Sequence, residues 1–241
     1  MIVDLNVDLG ELPDEPEELY ALATVVNIAC GGHAGDEASM RRAVARASAG
    51  SARCMAHPSY PDRAGFGRAS LAISIGELDR SLRAQCGELV RIAVGAGASV
   101  AGLKPHGALY HDAARDPALA AIVAAAAAEL GPPGSSIDLV GPPDGALAEA
   151  AAARGLRYVR EGFADRGYRD DGGLIARGQP GALIDDPEMA AHQALALARS
   201  GRIQTLCVHG DTPGAVGLAR AVRRALEDAG LLRVTPIAVV R

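Results

Sequence analysis

Ile2-Val3, followed by Asp4-Leu5-Asn6-Val7-Asp8-Leu9-Gly10-Glu11, is a short apolar run that ends in a cluster of carboxylate and glycine residues. This stretch decides the fold because the same punctuation recurs along the chain. Val25-Val26 runs into Asn27-Ile28-Ala29-Cys30-Gly31-Gly32-His33, Cys54-Met55-Ala56 into His57-Pro58-Ser59-Tyr60, and Val100-Ala101-Gly102-Leu103 into Lys104-Pro105-His106. Ile137-Asp138-Leu139-Val140 leads into Gly141-Pro142, Tyr158-Val159 into Glu161-Gly162-Phe163-Ala164-Asp165-Arg166, and Leu206-Cys207-Val208 into His209-Gly210-Asp211. Each run reads as a buried strand, and the segments between have helical period, which makes the whole an alternating β/α series. The expected fold class is α/β: a distorted, TIM-barrel-like (β/α) barrel of about seven parallel strands, forming a single domain over residues 1–241. A doubly wound open sheet is the alternative. Both architectures gather ligands beyond the carboxyl ends of the strands, so the polar clusters would converge on one pocket in either.

The helical segments carry recognisable caps. One helix should begin at Asp36 and end near Gly50, and another opens at Ser74-Ile75-Gly76-Glu77, a capping-box pattern, and runs towards Gly95 or Gly97. Asp116-Pro117 and Asp186-Pro187 each pair a capping carboxylate with a proline tolerated at the first helical position. Further helices should cover Asp144 to Arg154 and Pro213 to Ala229. The final run Pro236-Ile237-Ala238-Val239-Val240 reads as an extra strand with no polar cluster at its end.

Composition narrows the function classes. Aromatic residues make up only 3% with no Trp, so the core must be built from Ala, Val, Leu and Ile. A formal charge of −5 gives no basis for general affinity to nucleic acid or an anionic membrane. The N-terminus starts directly on a strand pattern, without the basic stretch and apolar core of a signal peptide, and the apolar run from Ala120 to Ala128 is too short to span a bilayer. Cys30, Cys54, Cys86 and Cys207 form no Cys-x-x-Cys pair, which fits a reduced, cytoplasmic protein. The thiols read as small buried hydrophobes, with Cys30 as the candidate if one were nucleophilic, because His33 follows it closely.

The chemistry-bearing residues cluster. Of six histidines, His33, His57, His106 and His209 each fall at or just after the carboxyl end of a strand run. Carboxylates accompany them: Asp8, Glu11, Asp36, Glu161, Asp165 and Asp211. A carboxylate beside an imidazole fixes its tautomer and raises its basicity, which is the arrangement acid/base chemistry needs. For Asp36 and Asp211, helix capping is the competing reading. Lys104 ends an apolar strand, an expensive place for an ammonium group unless an anion partners it. Arg166 offers a planar fork for a carboxylate or phosphate, or a structural pair with Asp165 or Asp170.

Taken in order, Asp4-Leu5-Asn6-x-Asp8-x-Gly10-Glu11, Asn27-Ile28-Ala29-Cys30-Gly31-Gly32-His33-Ala34-Gly35-Asp36, His57-Pro58-Ser59-Tyr60-Pro61-Asp62 with Gly65-Phe66-Gly67-Arg68, Lys104-Pro105-His106-Gly107-Ala108-Leu109-Tyr110, Phe163-Ala164-Asp165-Arg166-x-Tyr168 and Cys207-Val208-His209-Gly210-Asp211 resemble the LamB/YcsF family over essentially the whole chain. The resemblance implies a distorted barrel related to the glycoside hydrolase/deacetylase superfamily. It also implies ATP-dependent opening of the lactam of 5-oxo-L-proline to L-glutamate, performed with 5-oxoprolinase subunits B and C as partners and ATP, with Mg²⁺, as cofactor. Under that reading Asp8, His57, Lys104, His106, Asp165 and His209 are the catalytic groups, and Asn6, Glu11, Asn27, His33, Asp36, Glu161, Arg166 and Asp211 bind substrate or nucleotide. Lys104 and Arg166 would offset charge on a transferred phosphoryl or the substrate carboxylate, and Asp8, Glu11 or Asp165 would orient water or Mg²⁺. The chain departs from the family pattern in its short acidic stretch from Leu12 to Glu18 and in Ala69 after Arg68. No Gly-x-x-x-x-Gly-Lys-Ser/Thr motif occurs, so any nucleotide site is not a P-loop. Two other readings stay open: a metal-dependent deacetylase or amidohydrolase with Asp8 and two histidines as ligands, and a non-catalytic ligand-binding regulatory protein.

Overall fold

Alternation along the first strand explains how polar residues come to sit inside this protein. In the computed structural model, which describes residues 1–132 and 134–233, β1 is Asp4–Leu9. Leu5, Val7 and Leu9 are fully buried in the main apolar cluster, while Asp4, Asn6 and Asp8 alternate with them on the opposite face. The other strands are β2 (Val25–Ala29), β3 (Arg53–His57), β4 (Val100–Leu103), β5 (Asp138–Gly141), β6 (Arg157–Phe163) and β7 (Thr205–His209). All pair in parallel in sequence order, and β7 pairs back onto β1, closing the barrel. That closure rules out the open sheet. The barrel is irregular where β3 meets β4, with a register shift between Cys54 and Ala56.

Eight helices wrap the described barrel: α1 (Glu17–Leu22), α2 (Glu37–Ala49), α3 (Ile75–Gly95), α4 (Gly107–Arg115), α5 (Pro117–Ala128), α6 (Ala146–Ala153), α7 (Pro187–Arg199) and α8 (Ala215–Asp228). The sequence-readable caps form as expected: Asp36 with Ser39, Ser74 with Glu77, and Asp116 and Asp186 each accepting from backbone amides of the first turn. Small side chains on the inner helix faces, among them Ala43, Ala47, Ala93, Ala124 and Ala194, are fully buried and let the helices approach the strands closely. α1 and α4 are additional to the helices expected from sequence, and α6 and α8 start at Ala146 and Ala215, after N-caps Gly145 and Gly214, two residues later than Asp144 and Pro213 suggested. β1 also begins later than its apolar run. Ile2 lies outside it, and Val3 forms only an isolated bridge with Leu232. The run from Pro236 to Val240 lies outside the described residues.

The lumen is layered. At its amino-terminal floor Arg53 donates to Asp4 (3.0 Å) and Asp138 (2.8 Å), and Arg157 also pairs with Asp138. Above the floor Val25, Met55, Val140 and Val159 form a small apolar plug of their own. Gly102 on β4 makes room for it, since a Cβ there would overlap the Met55 methyl and the Asp138 carbonyl. The polar residues at the carboxyl ends of the strands lie beyond the plug.

Candidate functional site

Lys104, just past β4, is the hub of the upper layer. Its Nζ lies 2.9 Å from Asp8 Oδ1, 2.9 Å from Glu161 Oε1, 3.2 Å from Asn6 Oδ1 and 3.1 Å from Cys207 Sγ. Asn27 donates to Asp8 Oδ1 (2.8 Å) and Asn6 Oδ1 (2.7 Å), and Asn6 donates to Glu161 Oε1 (3.0 Å). Every member of this network is buried. Burial by itself would raise the Asp8 carboxyl, but the charges of His57 and Lys104 hold it well below the usual carboxylate range. Burial likewise works against the Lys104 ammonium, yet Asp8 above all keeps its pKa well above the usual lysine value. Glu161 Oε2 and the Tyr110 hydroxyl are buried near one another without a well-formed hydrogen bond.

Beside this network three histidines meet one carboxylate. Glu11 Oε1 lies 3.0 Å from His33 Nε2, 3.4 Å from His106 Nδ1 and 3.8 Å from His57 Nε2. His57 Nε2 is also 3.0 Å from His106 Nδ1 and 3.3 Å from Asp8 Oδ2. The outward nitrogens are anchored: His57 Nδ1–H donates to the Lys104 carbonyl (2.8 Å) and His106 Nε2–H to the Phe66 carbonyl (3.0 Å). Phe66 holds a positive φ of 54°, rare for a bulky residue, and its ring sits edge-on against His33 and His106. Burial, with the His57 charge next, pushes His33 down to about 2 and His106 well below its ordinary value. Burial, followed by the Asp8 charge, raises Glu11 well above its ordinary range. The acidic stretch after β1 contributes one buried anchor, Glu15, which accepts from the backbone N–H groups of Gly10 (2.8 Å), Glu11 (2.7 Å) and Leu12 (3.2 Å) and from the Tyr20 hydroxyl (2.8 Å). Glu15 thereby sets the direction of Glu11.

A separate carboxylate–imidazole pair closes the other side. His209 Nδ1 is 2.9 Å from Asp165 Oδ2, and the His209 backbone N–H donates to the same oxygen (2.8 Å). Burial opposes the Asp165 charge, but His209 and these hydrogen bonds hold its pKa below the ordinary value. His209, Asp8 and Cys207 present ligand atoms within 4.8 Å of one another. The Lys104 ammonium already lies against Asp8 and Cys207, so Asp8 is poorly placed to act as the metal ligand that the deacetylase reading required. A cavity of about 760 Å³ opens beside Glu161, lined also by Tyr168, Ile184, His192 and Gln193.

Twelve of the fourteen anticipated residues therefore meet at or around the carboxyl end of the barrel: Asn6, Asp8, Glu11, Asn27, His33, His57, Lys104, His106, Glu161, Asp165 and His209 inside it, with Asp211 ion-paired to exposed Arg68 at the rim. Two do not. Asp36 is exposed and caps α2, and Arg166 directs its donors to the Ala182 carbonyl (3.0 Å) and the Ile175 carbonyl (2.8 Å), pinning the loop after β6. Tyr110, Glu15 and Cys207 join the site without having been singled out. Cys30 packs in the main apolar cluster and burial pushes its thiol up to about 12, which removes it as a nucleophile.

The sequence model of the LamB/YcsF family matches residues 3–241. A Streptomyces griseus protein, named as the A subunit of 5-oxoprolinase, is 45% identical, covering 95% of this chain and 98% of that protein. The crystal structure of a lactam utilization protein from Thermus thermophilus superposes with a TM-score of 0.87 at 38% identity, covering 97% of this chain and 99% of the other. A family 4 carbohydrate esterase from Streptomyces lividans, solved in complex with acetate, shares the barrel (TM-score 0.51, covering 98% of this chain and 93% of that one) at only 13% identity, a likeness of fold alone.

Proposed function

The chain belongs to the LamB/YcsF family, and from this premise we propose that it is the lactam-handling component of an ATP-dependent 5-oxoprolinase, converting 5-oxo-L-proline to L-glutamate together with partner subunits B and C. The observation that carries the reading is that Glu161 Oε2 and the Tyr110 hydroxyl, two of five buried side-chain polar atoms left without partners among the described residues, lie near one another without a well-formed hydrogen bond. A lactam amide is held cis, so its N–H donor and carbonyl acceptor lie on one edge of the ring. Glu161 offers an acceptor for the first and Tyr110 a donor for the second. Such complementarity rejects molecules that would leave the two groups unpaired.

In the proposed reaction His209, oriented through Nδ1 by Asp165, takes a proton from water at its Nε2 as the oxygen attacks the lactam carbonyl carbon. The carbon–nitrogen bond then breaks, and the imidazolium returns the proton to the departing amine nitrogen. Lys104 keeps Asp8 and Glu161 together in place. Lys104 is enclosed by carboxylates, Arg166 is committed to loop carbonyls and Arg68 is paired with Asp211, so these three cations are already engaged in this structure. In this reading the partner subunits supply the site for ATP and its Mg²⁺.

The test is glutamate release from 5-oxoproline by this chain alone and with subunits B and C, with and without ATP. Release only in the complete, ATP-supplied mixture, lost with His209→Gln, is the expected result. ATP-independent release of acetate from an acetylated sugar by the chain alone, with no glutamate under any condition, would replace this reading with a deacetylase.

A further inference from the structure

We propose that Arg68 recognises the carboxylate of a lactam acid at the mouth of the barrel, and that Asp211 is the internal carboxylate which the substrate displaces from it. The proposal deepens the lactam reading above and rests on it. Glu161 and Tyr110 read the amide edge of the ring, but the carboxylate of 5-oxoproline is not part of that edge and needs a cation of its own.

Arg68 leaves a firmly built turn. Asp62 Oδ1 accepts from the Gly65 N–H (2.8 Å), the Asp62 carbonyl from the Gly67 N–H (2.8 Å) and the Gly65 carbonyl from the Arg68 N–H (3.1 Å). The Gly67 carbonyl accepts from the Ala108 N–H (2.9 Å) in the first turn of α4, and Gly67 lies so close to His33 and His106 that a Cβ would sit 3.1 and 3.3 Å from them. On this base the Arg68 guanidinium lies over the Phe66 ring, 4.7 Å from its centroid. A long side chain held in this way loses less freedom when it binds a ligand. The other end is also fixed. Asp211 follows His209 and Gly210, and the Gly210 N–H donates to the Asp8 carbonyl (3.3 Å), against which a Cβ would sit at 2.5 Å.

The turn follows β3 and Asp211 follows β7. Those strands are separated by β1 and β2 on one path round the barrel and by β4, β5 and β6 on the other, so the Arg68–Asp211 ion pair spans the mouth. The other cations at this end are committed or unsupported. Lys104 is held by Asp8 and Glu161, Arg63 donates to the Gly31 and Gly35 carbonyls (3.2 and 2.7 Å), and Arg166 donates to the Ala182 and Ile175 carbonyls. Arg177 is exposed on the loop after β6, without an ion pair among the described residues to orient it. Arg68 alone of these combines a supporting platform with a partner that another carboxylate can replace. Its side chain is 39% exposed and that of Asp211 15%. A pair so exposed is worth little, so exchanging Asp211 for the carboxylate of an entering acid costs little. A neutral lactam offers nothing for the exchange and leaves the pair in place across the mouth, so the same two residues favour acids and disfavour uncharged analogues.

The deciding experiment titrates 5-oxoproline and its neutral primary amide calorimetrically into the chain, alone and with subunits B and C in the absence of ATP, and then measures KM and kcat for glutamate release with ATP. Arg68→Gln should weaken binding of the acid by about 10–100-fold, the worth of hydrogen bonds to a charged group, and leave binding of the amide unchanged. In turnover the same variant should raise KM at nearly constant kcat. Arg68→Lys should restore part of the acid affinity, supplying the charge without the planar fork. Asp211→Asn should tighten acid binding by up to about 5-fold, the worth of an exposed pair. Circular dichroism establishes that each variant is folded. Equal weakening of acid and amide by Arg68→Gln, unchanged acid binding in that variant, weaker acid binding in Asp211→Asn, or no acid binding by the folded wild type in either preparation overturns the proposal. Arg68-dependent acid binding in a mixture that never releases glutamate leaves the carboxylate site standing and sinks lactam opening. Release of glutamate with acid and amide affected alike sinks only the role of Arg68.

Discussion

Replacing Lys104 by Met keeps most of the side-chain volume and removes the ammonium that lies 2.9 Å from both Asp8 and Glu161. All three groups are buried, so water cannot take over its role. Breaking a buried ion pair by removing one partner costs about 3–5 kcal/mol. For a domain of this size each kcal/mol moves Tm by roughly 2–4 °C, so a fall of roughly 6–20 °C is expected. The loss should depend on pH in a defined way. The Asp8 pKa is depressed on folding, so its contribution is present above the ordinary carboxylate range and disappears as pH falls through the folded value. The Lys104 pKa is raised, so its contribution is present below the ordinary lysine range and disappears as pH rises through the folded value. Wild type and Lys104→Met should therefore differ most between those two ranges and converge in acid. Adding Asp8→Asn to Lys104→Met should recover part of the loss, because one uncompensated charge is gone. The assay is urea unfolding of the single and double variants across pH. A difference below about 1 kcal/mol near neutrality, the size of an exposed pair, or a difference constant with pH, would show that Lys104 is not the counter-charge inferred from its contacts.

Other perturbations separate the remaining roles. Glu11→Gln should leave stability unchanged or raised near neutrality: the raised Glu11 pKa means that wild type loses stability as pH climbs from the ordinary carboxylate range to the folded value, and an amide does not. Urea unfolding of the variant and wild type across pH checks this. Arg53→Met, on the lumen floor, should cost about 1–3 kcal/mol, discounted because the arginine side chain is 29% exposed, and leave kcat/KM per folded molecule unchanged. Thermal melts paired with glutamate release would show whether floor and site are independent. Asp165→Asn should lower kcat by about 10²–10⁴-fold with little change in KM, because it frees the His209 tautomer without touching the lactam contacts; a change confined to KM would move the pair into substrate binding.

The strands were legible because six of the seven runs end in chemistry that a buried apolar segment does not need, and the fifth ends in the turn signal Gly141-Pro142. The misplacement of β1 has a physical cause. Asp4, Asn6 and Asp8 look like a loop by composition, and it is lumen partners remote in sequence, chief among them Arg53 from β3 and Lys104 from the end of β4, that make them tolerable in a strand. Sequence alone shows neither partner's position. The helices that escaped notice lack side-chain caps: α1 follows Pro16, and α4 begins at Gly107, φ 58°, inside a motif that reads as pure chemistry. Asp36 and Arg166 were over-read for the converse reason. A capping carboxylate and a loop-pinning guanidinium stand at strand ends in the same residue types as ligands do, and only the atoms they contact tell them apart.

The layered lumen explains how one barrel holds two sets of charges without mixing them. β1 supplies acid to both, Asp4 to the floor and Asp8 to the site, four residues apart along one strand face. Between them β2, β3, β5 and β6 insert Val25, Met55, Val140 and Val159, so Arg53 and Lys104 each see their own carboxylates across a short distance while apolar side chains separate the two layers. In such surroundings an electrostatic interaction is strong at contact and an unpaired charge is costly. The floor can therefore be satisfied by rigid ion pairs and contribute stability. The upper layer can keep groups such as Glu161 Oε2 and Tyr110 incompletely satisfied, and an incompletely satisfied buried group is what a polar substrate is needed to complete.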